Sequence, residues 1–218
     1  MEAVDEGAGA ACEDWGGVRV AFLMAAAAEY RAALRRRIRP FRIHVGPVEA
    51  GVRTAMVVAF EAPDLVVSLG SAGSARLEQG RVYQASTVSY RDMDASPLGF
   101  ARGETPFLGL PASLSIPLRL PELPLASLST GGAIVSGDAY ATIDADMVDM
   151  ESYAVTRACM LANVPLLCLR GISDGAEPIA GMEDWTRYLD VVDERLAAQL
   201  DRLRDVLEAG GLAALRGG

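Results

Sequence analysis

The sequence predicts a single α/β domain with a mixed, mostly parallel, twisted central sheet flanked by helices. Three observations predict it. Short apolar runs rich in β-formers alternate with helical segments, the signature of strand–helix units. The 218 residues, 51% of them hydrophobic, suit one large domain with a core that needs no disulfides. No internal repeat interrupts the chain, and no low-complexity tract occurs beyond the tail "GGLAALRGG".

Each element has its own signal. "VRVAFLM" (18–24) reads as a buried strand, and "AAAEYRAALRRRI" as the helix that follows it. Arg35, Arg36, Arg37 and Arg39 lie where that helix ends, a place where cations are favoured and usually solvated. "FRIHVG" predicts a second strand, and "GPVEAGVRTAMVVAFEA" a helix with Pro47 in its first turn. "PDLVVSLGSAGS" is a buried strand ending in small residues, and the alternation of "VYQASTVSY" suits another strand. From Arg91 to Pro124 the many prolines and glycines predict loops with short strands, suited to a lid or a subunit contact. "LASLSTGGAIVSGDAY" is a strand ending in a Gly-rich turn. "DMVDM" predicts a short strand, "ESYAVTRACMLANV" a helix and "PLLCLRGISD" a further strand. "DWTRYLDVVDERLAAQLDRLRDVLEA" predicts one long amphipathic helix, capped by Asp184 and stopped by Gly210 and Gly211. The acidic, Gly/Ala-rich start predicts a loose extension over residues 1–17, with the domain occupying 18–218.

Composition removes several function classes. A net charge of −9 argues against a general nucleic-acid binder. All 20 basic residues are arginine, which excludes a Schiff-base lysine and a Walker-type GK[ST] loop. The single histidine, His44, excludes a multi-histidine metal site, and a Ser-His-Asp triad would have to run through it. Cys12, Cys159 and Cys168 have neither CxxC nor metal spacing and fit a reducing compartment. No apolar run reaches the roughly 20 residues of a membrane helix, and the N-terminus lacks the pattern of a secretory signal. The expectation is a soluble cytoplasmic protein with neither membrane nor nucleic-acid partners, whose acid–base chemistry falls to carboxylates.

Those carboxylates stand at strand ends. In a mainly parallel sheet the carboxyl ends of the strands share one edge, where ligands bind. Glu29, Ser71, Glu151 and Asp174 then converge despite their distance in sequence. Arg170, Ser173 and Asp174, from "LLCLRGISDGAE" (166–177), form one wall of the shared site.

Four motifs in this order, "GSAG", "SGDAY", "VDMESYAV" and "LRGISDGAE", carry a resemblance. Together they resemble the nucleoside phosphorylase/nucleosidase superfamily over residues 18–205, and within it the methylthioadenosine/S-adenosylhomocysteine nucleosidases. The resemblance implies a purine nucleoside phosphorylase-like fold and hydrolysis of the N-ribosidic bond of a 5′-substituted adenosine, without metal or cofactor. It places Glu29 on the glutamate that activates water, with Ala25 to Ala28 replacing neighbouring acidic residues. Ser71, Ala72 and Gly73 match the loop near ribose and water. Tyr140 and Ala141 match the adenine site, the Tyr140 ring stacking on the base. Met150 and Glu151 match the ribose contacts. Asp149 stands where the family usually has glutamate. Arg170 falls near the water and Ser173 near the base, while Asp174 protonates adenine. Val45, Leu98, Phe100 and Trp185 are candidates for the 5′ pocket, Trp185 closing on the 5′ group. The resemblance also implies a homodimer with the 91–124 region near its interface.

The chemistry needs such a set. Cleavage builds positive charge on the sugar and negative charge on the base, so carboxyl groups are needed on opposite sides. Asp174 must hold a proton, which burial favours, whereas Glu29 must be ionised to accept one. Arg170 is placed to hold Glu29 or the water by charge-assisted hydrogen bonds. No arginine stands at Ser68 or Leu69, before "GSAG", which favours water over phosphate as nucleophile. Two alternatives remain open at this level. One is a phosphate-dependent phosphorylase. The other is a nucleoside-binding module without activity, to which the alanine run and Asp149 point.

Overall fold

In the computed structural model, which describes residues 10–175, 177–178 and 180–216, the first strand is paired before residue 18. β1 (Glu13–Trp15) runs antiparallel to β2 (Val18–Met24), with Trp15 opposite Val18. The two residues between them, Gly16 and Gly17, have φ of 64° and 78°, the left-handed backbone that a two-residue hairpin turn requires. The expected boundary at residue 18 is therefore corrected. Residues 13–17 belong to the domain, and residues 1–9 of the expected extension lie outside the described residues.

After β2 the chain does not form the long helix its composition suggests. A single 3-10 turn covers Ala27–Glu29, and α1 spans only Ala32–Arg35. The cause is tertiary. Glu29 is turned inward, and the buried Asp193 carboxylate accepts from the backbone N–H groups of Arg31, Ala33 and Leu34. It thus satisfies the orphan donors at the start of α1 from a distant helix. The arginine run closes the other end: Arg37 donates to Ala33 O and pairs with Asp201, and Arg39 donates to Arg35 O.

β3 (Phe41–Arg42) is a two-residue strand beside β2. α2 (Pro47–Glu61) starts on its proline as expected. β4 (Leu65–Gly73), β5 (Val82–Tyr90), β6 (Ser113–Ser115), β7 (Leu125–Thr130) and β8 (Met147–Asp149) follow. α3 (Ser152–Ala162), β9 (Leu166–Asp174), α4 (Met182–Thr186) and α5 (Leu189–Gly210) complete the chain. The single long C-terminal helix is corrected to two. Asp184 lies inside α4 and accepts from Ala180 N instead of capping α5, whereas Gly211 stands at the end of α5 as expected.

The sheet is mixed, as expected, and it also closes on itself. β9 pairs parallel with β4 and antiparallel with β5. β5 pairs parallel with β7, β7 parallel with β8, and β8 antiparallel with β4, so the five strands form a ring. Strand direction is mixed because β5 and β9 meet head to tail. Irregular register at Ala72/Gly73 and Ala85/Thr87 adds the local twist that closure needs.

Both faces of the long strands are covered, which explains their unbroken apolar runs. Val20, Phe22, Leu65, Val67, Leu167 and Leu169 pack on Leu196, Leu200 and Leu203 of α5. The alternate residues Ala21, Leu23, Val66, Leu166 and Cys168 join Val155 and Cys159 of α3 and Ala50 and Val58 of α2. Each buried leucine contributes about 1.5–3 kcal/mol. Among the described residues no helix is long and apolar enough to cross a membrane.

Candidate active site

Strands that end in polar residues bring their ends to one rim of the ring. The site there has two carboxyl poles with the small residues of β4 between them. At one pole Glu29 is 7% exposed. Its Oε1 accepts from Ser71 N at 2.7 Å and from Ser71 Oγ at 2.6 Å, and its Oε2 accepts from Ala26 N at 3.3 Å. Gly70 leaves room for this carboxylate: a Cβ there would lie 3.2 Å from Oε1. Trp185 of α4 donates from Nε1 to Ser71 Oγ at 3.1 Å.

At the other pole Asp174 ends β9. Its Oδ1 accepts from Ser173 Oγ at 2.5 Å. Burial pushes its pKa up, against the smaller lowering effect of that hydrogen bond. A Cβ at Gly73 would collide with the Tyr140 hydroxyl and sit 2.7 Å from Asp174 Oδ2, so the bare backbone lets the phenol and the carboxylate share this corner. The Tyr140 hydroxyl is buried and has no hydrogen-bond partner among the described residues. Burial, and then the Asp174 charge, raise its pKa. An unpaired buried hydroxyl costs about 1–3 kcal/mol, which a bound polar group relieves.

Between the poles Glu151 Oε1 accepts from Gly46 N at 2.9 Å. Its pKa is pushed up to about 7, first by burial and then by the charge of Asp149. One oxygen is thus held by the backbone, and Oε2 has no protein partner of its own among the described residues. Asp149, behind it, is fully engaged. It accepts from Thr130 Oγ1 (2.6 Å), Ser152 Oγ (2.5 Å), Ser152 N, and Arg170 Nε and Nη2 (both 3.1 Å). Arg170, 3% exposed, also donates to Ser68 Oγ, Ser152 Oγ and Leu169 O.

Residues 129–209 match the family model of the Phosphorylase superfamily. A 5′-methylthioadenosine/S-adenosylhomocysteine nucleosidase of Hydrogenovibrio crunogenus is 29% identical over 173 residues, 68% of this chain and 72% of the relative. That of Haemophilus influenzae is 30% identical over 183 residues, 73% of this chain and 78% of the relative. The chain belongs to the 5′-methylthioadenosine/S-adenosylhomocysteine nucleosidase family. Its fold also matches the solved native structure of futalosine hydrolase from Helicobacter pylori, with a TM-score of 0.76 and 19% identity over 85% of this chain and 97% of that one.

Within this nucleosidase family member the expected site residues fall into groups. Glu29, Ser71 and Trp185 are linked by hydrogen bonds, and Gly73, Tyr140, Ser173 and Asp174 share the other pole. Ala72 is buried in the strand ladder, Met150 is half-buried beside Glu151, and Ala141 is exposed at the end of the 3-10 turn Gly137–Thr142. Two of these residues are held from within the protein. Arg170 makes no hydrogen bond to Glu29; its guanidinium is held by Asp149, Ser68 and Ser152. Asp149 likewise accepts from within the protein, from Thr130, Ser152 and Arg170. Val45 and Leu98 are exposed, and Phe100 packs edge-on against Phe107.

Several participants were missed in the sequence: Gly46, Ser68, Thr130, Ser152, and Arg91. Arg91 ties the 131–133 turn by donating to Ser129 O, Gly131 O, Ala133 O and Asp149 O. The available signal was small polar residues inside otherwise apolar strands, Ser68 in "VVSLG" and Thr130 in "LSTGG". Buried hydroxyls at such positions need partners, and a neighbouring buried charge is the usual one.

Proposed function

We propose that this protein hydrolyses the N-ribosidic bond of a 5′-substituted adenosine to adenine and a ribose derivative. The observation that carries this reading is the pair of carboxyls in opposite environments on either side of Gly70–Gly73. Glu29 accepts from three donors, Ala26 N, Ser71 N and Ser71 Oγ. Asp174 accepts from the Ser173 hydroxyl, shares its corner with the Tyr140 phenol, and has its pKa pushed up by burial. Water adds through oxygen to the anomeric carbon as the carbon–nitrogen bond breaks. Glu29 takes a proton from the water, and Asp174 gives its proton to a ring nitrogen of the departing base. Glu151 Oε2 accepts from the ribose hydroxyls. The Tyr140 ring lies along the base, and its hydroxyl reaches the same corner as Asp174.

Trp185, half-buried on α4, stays the candidate to close on the 5′ group. Methylthioadenosine, S-adenosylhomocysteine, 5′-deoxyadenosine and bulkier adenosyl conjugates are the substrates to compare. We place the protein in the cytoplasm on the strength of its three unpaired cysteines, of which Cys159 and Cys168 are buried.

A homodimer is part of the same reading. Val48, Val52, Met56 and Phe60 recur every four residues on α2 and are 53–80% exposed, on the face opposite buried Ala50, Thr54 and Val58. An exposed apolar helix face of this kind is what another subunit covers, and Leu161, Leu98 and Phe107 are exposed as well. In this reading the 91–124 segment lies near the interface and helps complete the 5′ pocket. Val52→Asp with Phe60→Asp is expected to yield monomers by analytical ultracentrifugation.

The deciding experiment is chromatographic detection of adenine from methylthioadenosine, in phosphate-free buffer and then with phosphate. Adenine in both, with free methylthioribose, is expected. Adenine only with phosphate would make the enzyme a phosphorylase and remove Glu29 as base. No adenine from any of the four substrates would leave a nucleoside-binding module.

A further inference from the structure

Trp185 has a polar bond that a wall of a 5′ pocket does not need. Its indole N–H donates to Ser71 Oγ at 3.1 Å, and that hydroxyl lies 2.6 Å from Glu29 Oε1. An indole nitrogen can only donate, and a serine hydroxyl has one proton. The direction of the chain is therefore set: Trp185 gives to Ser71, and Ser71 gives to Glu29. We infer that Trp185 is a positioning residue for Glu29, coupling the seating of α4 on the site to the choice of carboxylate oxygen that faces water.

The stereochemistry follows from the donors. Oε1 receives two short bonds, from Ser71 N at 2.7 Å and Ser71 Oγ at 2.6 Å. Oε2 receives a single long one, from Ala26 N at 3.3 Å. Oε1 is saturated, and Oε2 keeps the lone pair that can take a proton. Without the indole, the Ser71 hydroxyl loses its own donor and is free to turn away from Oε1 or to hold the water itself. The carboxylate then has no fixed basic oxygen.

The placement of Trp185 makes this a coupling. It stands on α4, a helix of five residues in the connection between β9 and α5. That connection carries the exposed Met182 and is tied locally by Asp184 to Ala180 N and to Arg187. Ser71 and Glu29 belong to the rim itself. The hydrogen bond from Trp185 to Ser71 spans 114 residues of sequence and joins the connection to the acid–base machinery. Through that bond α4 supplies the donor that fixes which oxygen of Glu29 faces water.

The proposal rests on the hydrolytic reading above, and its test separates the two. For methylthioadenosine hydrolysis, Trp185→Phe keeps the aromatic wall and removes the donor. It is expected to lower kcat about five-fold with little change in KM, the effect of about one hydrogen bond. Ser71→Ala should lower kcat at least as much, and the double variant should be no slower than Ser71→Ala alone, because both changes break one chain. An unchanged kcat in Trp185→Phe, a change confined to KM, or effects that multiply in the double variant would overturn the coupling. A second readout needs no turnover. The Trp185 emission, obtained by subtracting the Trp185→Phe spectrum, should shift in Ser71→Ala; no shift would mean that the indole bond is absent. If wild type releases adenine from no adenosine, the hydrolytic reading fails, while the emission still decides the hydrogen bond.

Discussion

The Glu29 pole and the Asp174 pole use the same functional group and give it opposite surroundings. Glu29 sits against a turn and a glycine, where backbone N–H groups point at it. Asp174 sits at the end of a strand, against a phenol and a hydroxyl, with no backbone donor recorded at its carboxyl among the described residues. Donors favour the charged form of a carboxyl, and burial without them favours the neutral form. The turn after β2 thus brings a carboxyl with backbone donors beside Gly70 of β4, and β9 brings one held by side-chain hydroxyl groups beside Gly73.

The largest effects should come from removing either pole. Asp174→Asn and Glu29→Gln are each expected to lower kcat by about 10²–10⁴-fold with the fold intact by circular dichroism. A variant within a few-fold of wild type would remove that residue from its role. The sign of the pH dependence follows from Asp174. Its pKa is raised, and its protonated form is the active one, so kcat falls as pH rises through that raised value. Asp174→Asn should lose this alkaline limb together with the activity.

Next comes the support beneath the poles. Asp149→Asn leaves the Arg170 charge buried with only neutral partners. It should cost about 3–5 kcal/mol by denaturant unfolding, since breaking one side of a buried pair strands the other. Equal stability would show that Ser68 and Ser152 suffice for the guanidinium.

Glu151 offers a smaller and pH-dependent effect. Its folded pKa of about 7 lies above the ordinary 4.5, so burial penalises its charge. The raised value means that stability is fullest below pH 4.5 and declines as pH rises through about 7. Glu151→Gln should therefore be more stable than wild type at pH 8 by about 1–3 kcal/mol, with no gain at pH 4. The same variant should raise KM, and wild-type KM should climb as pH falls below about 7 and the acceptor for the ribose is lost.

The smallest effect expected is at Tyr140. Tyr140→Phe removes a buried hydroxyl that has no partner among the described residues. The ligand-free protein should gain about 1 kcal/mol, some 2–4 °C in Tm. A loss of stability would reveal a partner for that hydroxyl in solution.

How far each pole was legible in the sequence follows from how local its cause is. β4 and β9 were legible as apolar runs ending in "GSAG" and "GISD", and their ends carry Ser71, Gly73, Ser173 and Asp174. Pro47 at the start of α2 and the small strand around Val148 were also legible, because turn and strand chemistry acts over a few residues. The helix after β2 was not. Alanine and arginine favour a helix there, and the Asp193 carboxylate, more than 150 residues away, broke it into a turn and α1.

By itself the sequence determined the apolar strands, the polar residues at their ends, and the absence of lysine chemistry, since composition and short-range periodicity are properties of the chain alone. The tertiary structure decided the closure of the sheet between β5 and β9 and the pairing of Arg170 with Asp149. It also decided the link from Trp185 through Ser71 to Glu29. A buried charge or hydroxyl takes the partner that packing brings within about 3 Å. That partner depends on which distant strand ends meet at the rim, which no local pattern encodes.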